Sequence, residues 1–268
     1  MDATRDTSRR ACLDDPRHCE GIVLRGITKS FGDNRVLDGL DFTIRRGETV
    51  VVIGRSGEGK SVMLKHIVRL LEPDAGSVWV DGTEVTALER RELFELRKRF
   101  GMLFQGAALF DSMTICENIG LGLQEHFGLS EEEIRARACK CLAQVGLQAV
   151  EDKLPSELSG GMKKRAGLAR AIAMEPDYIL YDEPTTGLDP ITSDAINDLI
   201  IQLQRELNVT SIVVTHDMAS AFKVADRIAM LHQGRIIYDD TVEATRETDN
   251  PVVRQFIEGS AQGPLSVF

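Results

Sequence analysis

No apolar run in the sequence is long enough to cross a bilayer. Uninterrupted stretches such as Val50 to Ile53 fall far short of the roughly 20 residues that a spanning helix needs. The opening residues, MDATRDTSRRACLDDPRHCE, also lack the apolar segment of a secretory signal and mix both charge signs instead. The chain is therefore expected to stay in the cytoplasm. Cysteine is sparse and odd in number: Cys12, Cys19, Cys116, Cys139 and Cys141 are scattered in a way that suits reduced thiols better than a disulfide framework. Cys139 and Cys141 form the one close pair, with no histidine or further cysteine nearby at the spacing of a zinc site. Basic charge is in deficit, 32 Lys and Arg against 42 Asp and Glu, for a net charge of −10. That balance opposes the phosphate neutralisation on which non-specific nucleic-acid binding rests, so no nucleic-acid partner is expected.

What remains, 43% apolar and 28% charged over 268 residues, can bury a core without metal or disulfide staples. Residues 22 to 53 alternate apolar and polar positions or run β-branched, with Gly, Asp and Asn at the breaks. They predict a hairpin-rich β layer leading into a buried strand. After the glycines of 54 to 59, Val62, Met63, Ile67, Leu70 and Leu71 recur with helical period, and Pro73 and Gly76 end that helix. A strand GSVWVDG, a charged helix around Glu89 to Arg97 and a strand FGMLF follow, ending at Gln105. From there to about residue 174 helix follows helix. Ser130 with Glu133 makes a capping box, and Ile134, Ala138, Cys141, Leu142 and Val145 mark one helical face, which places Cys141 in the core. YILYDE (178 to 183) and TSIVVTHD (210 to 217) read as strands of a parallel sheet covered on both faces.

Three groups of residues carry chemistry. Gly54, Arg55, Ser56, Gly57, Glu58, Gly59, Lys60 and Ser61 fit G-x-x-x-x-G-K-[ST] between a predicted strand and a predicted helix, which is the context that loop requires. Glycines let backbone N–H groups converge on phosphate oxygens, and the helix N-terminus adds partial positive charge. Lys60 would bridge the β- and γ-phosphates of ATP and Ser61 would ligate Mg2+. The apolar run into Asp182 and Glu183 delivers two carboxylates to the C-terminal edge of a strand, where ligands of open α/β sheets bind. Asp182 would hold Mg2+ and Glu183 would accept the proton of the attacking water. Leu158, Ser159, Gly160, Gly161 and Met162 open a helix with a good N-cap and a glycine pair that permits close approach of an anion. The expected fold class is α/β: a P-loop NTPase (RecA-like) core with an N-terminal antiparallel β layer and an inserted α-helical subdomain. The expected segments are an extension over 1–20, the core over 21–105 and 174–245, the helical subdomain over 106–173 and a tail over 246–268.

Together these elements resemble the nucleotide-binding subunits of ABC transporters over about residues 21 to 240. In that family the LSGGQ signature of one protomer closes over the ATP held by the other protomer's P-loop. Position 162 here is Met instead of Gln, while Ser159, Gly160 and Gly161 are intact. The resemblance implies that Phe31 stacks on adenine, that Gln105 senses Mg2+ and water in the Q-loop, and that Asp189 belongs to the D-loop at the dimer seam. It also implies that His216 is the switch histidine that contacts the γ-phosphate. His18, His66, His126 and His232 match nothing in the family pattern.

FQGAALFDSMTICENI (104 to 119), the tail NPVVRQFIEGSAQGPL (250 to 265), the Met after the glycine pair and Val62 after Ser61 are similar to the ATPase of Mla-type phospholipid transporters. That resemblance implies several partners, a second copy of the chain, a polytopic membrane permease, an MCE-domain lipid-binding protein and a small STAS-type subunit, and it implies that this chain sits peripherally at the cytoplasmic face of the inner membrane. Ala107, Ala108, Leu109, Phe110 and Met113 could line a groove for a permease helix or pack the helical insertion internally. Two other readings stay open. One is an ABC importer or exporter of other cargo. The other is a soluble ABC ATPase, which the single cassette and the short insertion disfavour.

Overall fold

The structure, a computed structural model, describes residues 10 to 265. It divides into two compact units, one running up to Arg90 and resuming at Val214, the other Arg91–Val213.

In the first unit, β1 (Gly21–Phe31) pairs antiparallel with β2 (Asn34–Arg45) and with β4 (Ala75–Val80), and β5 (Thr83–Glu84) extends the sheet to the order β2-β1-β4-β5. The alternation seen in the sequence becomes a core face of Ile22, Leu24, Ile27, Leu40, Ile44 and Val78, all fully buried. Burial of each such side chain contributes about 1.5–3 kcal/mol. The continuous β-branched run forms β3 (Thr49–Ile53), buried along its whole length and parallel to β9 (Arg227–His232). β10 (Arg235–Thr241) returns antiparallel to β9. Charge is also buried here. Arg227, 4% exposed, donates to Glu48, to Asp239 and to the Thr43 carbonyl, with its guanidinium 5.4 Å from the centre of the Phe42 ring.

The helix after the glycine loop, α1 (Lys60–Ile67), ends before Leu70 and Leu71, which the sequence periodicity had included. Arg69 takes φ 50°, and its guanidinium donates to the carbonyls of Val85 and Leu88, so the chain leaves the helix there and Leu70 is exposed. The expectation of scattered thiols fails for two of the five cysteines. Cys12 and Cys19 are bonded to each other, Cα atoms 5.6 Å apart, across a turn in which Asp15 caps the short 3-10 helix Pro16–His18. The turn brings the ends of a seven-residue separation together. Cys116, Cys139 and Cys141 are free, and Cys141 is in the core as its helical phase requires.

In the second unit β6 (Phe100–Leu103) and β7 (Tyr178–Asp182) run parallel, and β8 (Thr210–Thr215) neighbours β7. The charged helix forms as α2 (Arg90–Arg97), on the boundary of the units. Between β6 and β7 lie α3 (Ile115–Phe127), α4 (Glu131–Gln144) and α5 (Gly160–Ile172). Both α3 and α4 start on full capping boxes, Thr114 with Glu117 and Ser130 with Glu133. α5 lies close on β6 because glycines face it: a Cβ on Gly101 would sit 2.3 Å from the Ala171 carbonyl oxygen, and one on Gly167 would sit 2.8 Å from Leu103. α6 (Pro190–Leu207) follows β7. Asn118, fully buried on α3, accepts from the Phe110 N–H at 2.7 Å and donates to the carbonyls of Phe110 and Met113. This settles the stretch before α3 as part internal and part outward: Ala107 is buried and Phe110 is half exposed. In the first unit α7 (Met218–Val224) precedes β9, and α8 (Val242–Arg246) and α9 (Pro251–Glu258) follow β10. No helix among the described residues is long and apolar enough to cross a membrane.

Candidate active site

The phosphate-type loop leaves the end of β3 and turns twice through left-handed backbone, Gly57 at φ 85° and Gly59 at φ 97°. A side chain at 59 would be strained twice over, since its Cβ would also lie 2.8 Å from Val36. Gly59 is the N-cap of α1 and offers no side-chain cap, which leaves the positive end of the helix dipole to the loop. Lys60, 5% exposed, donates to the carbonyls of Gly54 at 2.8 Å and Arg55 at 3.0 Å. Arg55, Ser56 and Gly57 are exposed, and Ser61 and Val62 are half-buried. An open cavity of about 590 Å³ borders the loop, lined by Arg55, Ser56 and Glu58 on one side and by Asn34, Arg35 and Val36 on the other. The loop itself, with one buried ammonium and a helix N-terminus, fits a polyphosphate anion.

Glu58 brings a carboxylate into this loop, and the carboxylate has its own partners. It accepts from the backbone N–H of Gln233 at 2.7 Å and lies 3.1 Å from the ring Nδ1 of His232, both on the β9–β10 turn. His232 matched no motif in the sequence because this partner is 174 residues away. Phe31 ends β1 half exposed, with the Lys29 ammonium 5.7 Å from its ring centre, and so is not a core strand residue. His216 is exposed between the end of β8 and α7. Asp217 holds that corner: its N–H donates to the Thr215 hydroxyl and its carboxylate caps Ala219.

The second unit assembles the other candidates. Asp182 and Glu183, 5% and 8% exposed, stand at the end of β7. Glu183 takes φ 50°, and its carboxylate accepts from the Thr186 hydroxyl at 3.1 Å. A residue that sequence reading passed over lies beneath both loops. Lys164, on α5 and 5% exposed, donates to the carbonyl of Glu183 at 3.0 Å and to that of Gln105, whose own side chain is exposed. Burial pushes the Lys164 ammonium below its ordinary range, and the nearby charges of Asp182 and Glu183 pull it back up. One turn and a half later, Arg170 donates to the carbonyls of Ala107 at 2.7 Å and Ala108 at 2.6 Å, two residues held at positive φ. The only sequence signal for either cation was a basic residue on a helix that also carries the signature, KKRAGLARAI.

Ser159 is the N-cap of α5, its hydroxyl accepting from the Met162 N–H at 3.3 Å, with Gly160 and Gly161 as the first helical residues. A Cβ on Gly161 would lie 2.6 Å from Thr192 of α6. Asp189 caps α6 by accepting from the N–H groups of Ile191 and Thr192, both at 3.0 Å, and the Thr192 hydroxyl holds its carboxyl below the usual carboxylate range. The candidates thus fall into two sets. Phe31, the loop from Gly54 to Val62 and His216 belong to the first unit, whereas Gln105, Ser159, Gly160, Gly161, Asp182, Glu183 and Asp189 belong to the second.

Residues 37–186 match the family model described as ABC transporter. The chain is 43% identical over 246 residues to a probable ribonucleotide transport ATP-binding protein, mkl, of Mycobacterium tuberculosis, covering 92% of this chain and 68% of that protein. It is 40% identical over 244 residues to the intermembrane phospholipid transport system ATP-binding protein MlaF of Haemophilus influenzae, covering 91% of this chain and 92% of that one. Among solved structures, a dimeric ATP-binding cassette in a post-hydrolysis state bound to ADP and Pi superposes with a TM-score of 0.76 at 34% identity, over 82% of this chain and 98% of that one. A family model spanning more than half of the chain and relatives aligned over nine-tenths of it lead to one conclusion: the chain belongs to the ABC transporter family and is an ATP-binding ATPase.

Proposed function

We propose that this ATPase powers the movement of phospholipid between membranes, as the cytoplasmic-face subunit of a transporter whose permease spans the inner membrane. The observation that carries this reading is the match to MlaF, which covers nearly all of both chains, whereas about a third of mkl has no counterpart in this chain. The resemblance of residues 104–119 and of the tail to Mla-type ATPases points the same way, as do Met162 and Val62. The partners in this reading are a second copy of the chain, the permease, an MCE-domain lipid-binding protein and a STAS-type subunit.

In the proposed cycle ATP lies on the loop from Gly54 to Val62. Backbone N–H groups and Lys60 neutralise its β- and γ-phosphates, and Phe31 stacks on the adenine. Ser61, Asp182 and Gln105, the residues proposed to hold Mg2+, each offer an oxygen donor of the kind Mg2+ prefers, and the buried Asp182 carboxylate fits a divalent cation. Mg2+ bound there would neutralise charge that develops on the β- and γ-phosphates. Glu183 takes the proton from the attacking water, and the Thr186 hydroxyl fixes its carboxylate. His216 steadies the γ-phosphate as it leaves. Ser159, Gly160, Gly161 and Asp189 act on the nucleotide held by the second copy, so two chains share each hydrolysis.

Affinity capture of the full chain from detergent-solubilised membranes tests this function. The expected yield is a polytopic permease together with an MCE-domain protein, and deletion of the gene should change envelope phospholipid composition. Capture of ribosomes or DNA would contradict it, as would unchanged lipid levels accompanied by lost uptake of ribonucleotide, amino acid or metal.

A further inference from the structure

We infer that Lys164 is a positioning residue for hydrolysis: from the signature helix it holds the main chain of the catalytic glutamate and of the Q-loop glutamine in working register. The inference deepens the proposed cycle and rests on the role given there to Glu183. Three observations carry it. First, one buried ammonium bridges two carbonyl oxygens, those of Gln105 and Glu183, which lie just beyond the ends of two neighbouring parallel strands, β6 and β7. Second, Glu183 sits at φ 50°, a backbone state that costs a non-glycine residue free energy unless its surroundings hold it there. A charge-assisted hydrogen bond to the carbonyl of that same residue is such a restraint. Third, α5 packs closely against β6, because Gly101 and Gly167 let helix and strand approach with no side chain between them. The ammonium is therefore delivered by a closely packed element.

Nothing in this arrangement needs Lys164 to touch nucleotide. A buried lysine at this depth is costly, and packing alone would be served by an apolar side chain of equal length. The carbonyls explain its presence. Arg170 treats the following stretch similarly, taking the carbonyls of Ala107 and Ala108. The signature helix thus holds three carbonyls of the Q-loop stretch, and Lys164 extends that hold to Glu183.

The test compares full-length Lys164→Met, Lys164→Gln and Lys164→Arg with Glu183→Gln, measuring kcat, KM for ATP and ATP affinity. Met keeps the length and removes the donors, so kcat should fall about tenfold to a hundredfold, the range expected when a catalytic group is misplaced by about an ångström. KM and affinity should barely move, because the P-loop is untouched. Arg restores donors and should recover most of kcat, which a general loss of packing would not allow. If Met prevents folding, Gln decides in its place, with a kcat below that of wild type and ATP affinity unchanged. Wild-type kcat in the Met or Gln variant, a fall in kcat that Arg does not recover, or a loss that shows in ATP affinity instead of kcat would overturn the inference. An inactive Glu183→Gln beside an unimpaired Lys164→Met overturns the role of Lys164 alone. Near-normal hydrolysis by Glu183→Gln overturns both assignments.

Discussion

Arg227 shows how single residues hold the scaffold of the phosphate loop. Its guanidinium sits at 4% exposure against two carboxylates, Glu48 and Asp239, on a strand parallel to the one that ends in the loop. Removing one partner of such a buried set leaves the others charged and unmatched, so Arg227→Met should lower stability by about 3–5 kcal/mol in denaturant unfolding. A loss below about 1 kcal/mol, the value of an exposed pair, would show that the network is solvated in solution. Glycine, lysine and serine at fixed spacing identified the loop from the sequence because nearly every position there answers to the backbone and to phosphate. Lys164 and Arg227 were not legible in the same way, nor were the partners of Glu58. Each depends on a group 19 to 179 residues distant that only the fold brings to it. The pairing of Cys12 with Cys19 was missed for a related reason: an odd, scattered count argues against a framework but says nothing about one local turn.

Among the elements, α5 carries the most. Its start was legible, since Ser159 caps it as the sequence indicates, whereas its contact with β6 depends on glycines that no sequence pattern singles out. Gly101→Ala would place a methyl 2.3 Å from the Ala171 carbonyl oxygen, so the helix must shift and stability should drop by about 1–3 kcal/mol. A thermal or denaturant midpoint equal to wild type would mean that the helix is loosely held. Ser159→Arg tests the other end. It removes the cap, costing about 1 kcal/mol, and puts a fixed positive side chain where the signature is proposed to meet the second copy's nucleotide. ATP hydrolysis should be lost at saturating nucleotide while ATP binding persists. Unchanged hydrolysis would remove the signature from the mechanism. α1 gives the opposite lesson about periodicity: Leu70 and Leu71 keep helical spacing, yet the carbonyls of Val85 and Leu88 draw Arg69 out of the helix.

At the scale of the whole molecule, the phosphate loop belongs to one compact unit and the strand-end carboxylates to the other. The fold class was legible because β3, β7 and β8 are near-continuous apolar stretches that suit a covered sheet, and because Gly54 follows β3 and the Asp182–Glu183 pair stands at the end of β7. In the proposed cycle Lys60 holds ATP and Glu183 is the base of its hydrolysis. The direct measurement is ATP affinity and ATP hydrolysis, side by side, in Glu183→Gln and Lys60→Ala. Glu183→Gln keeps the shape and removes the basicity, so turnover should fall by about 10²- to 10⁴-fold, with ATP affinity preserved and a nucleotide-locked dimer accumulating. Lys60→Ala should weaken ATP binding itself. Near-normal hydrolysis by Glu183→Gln, or undiminished ATP affinity in Lys60→Ala, would contradict this division of labour.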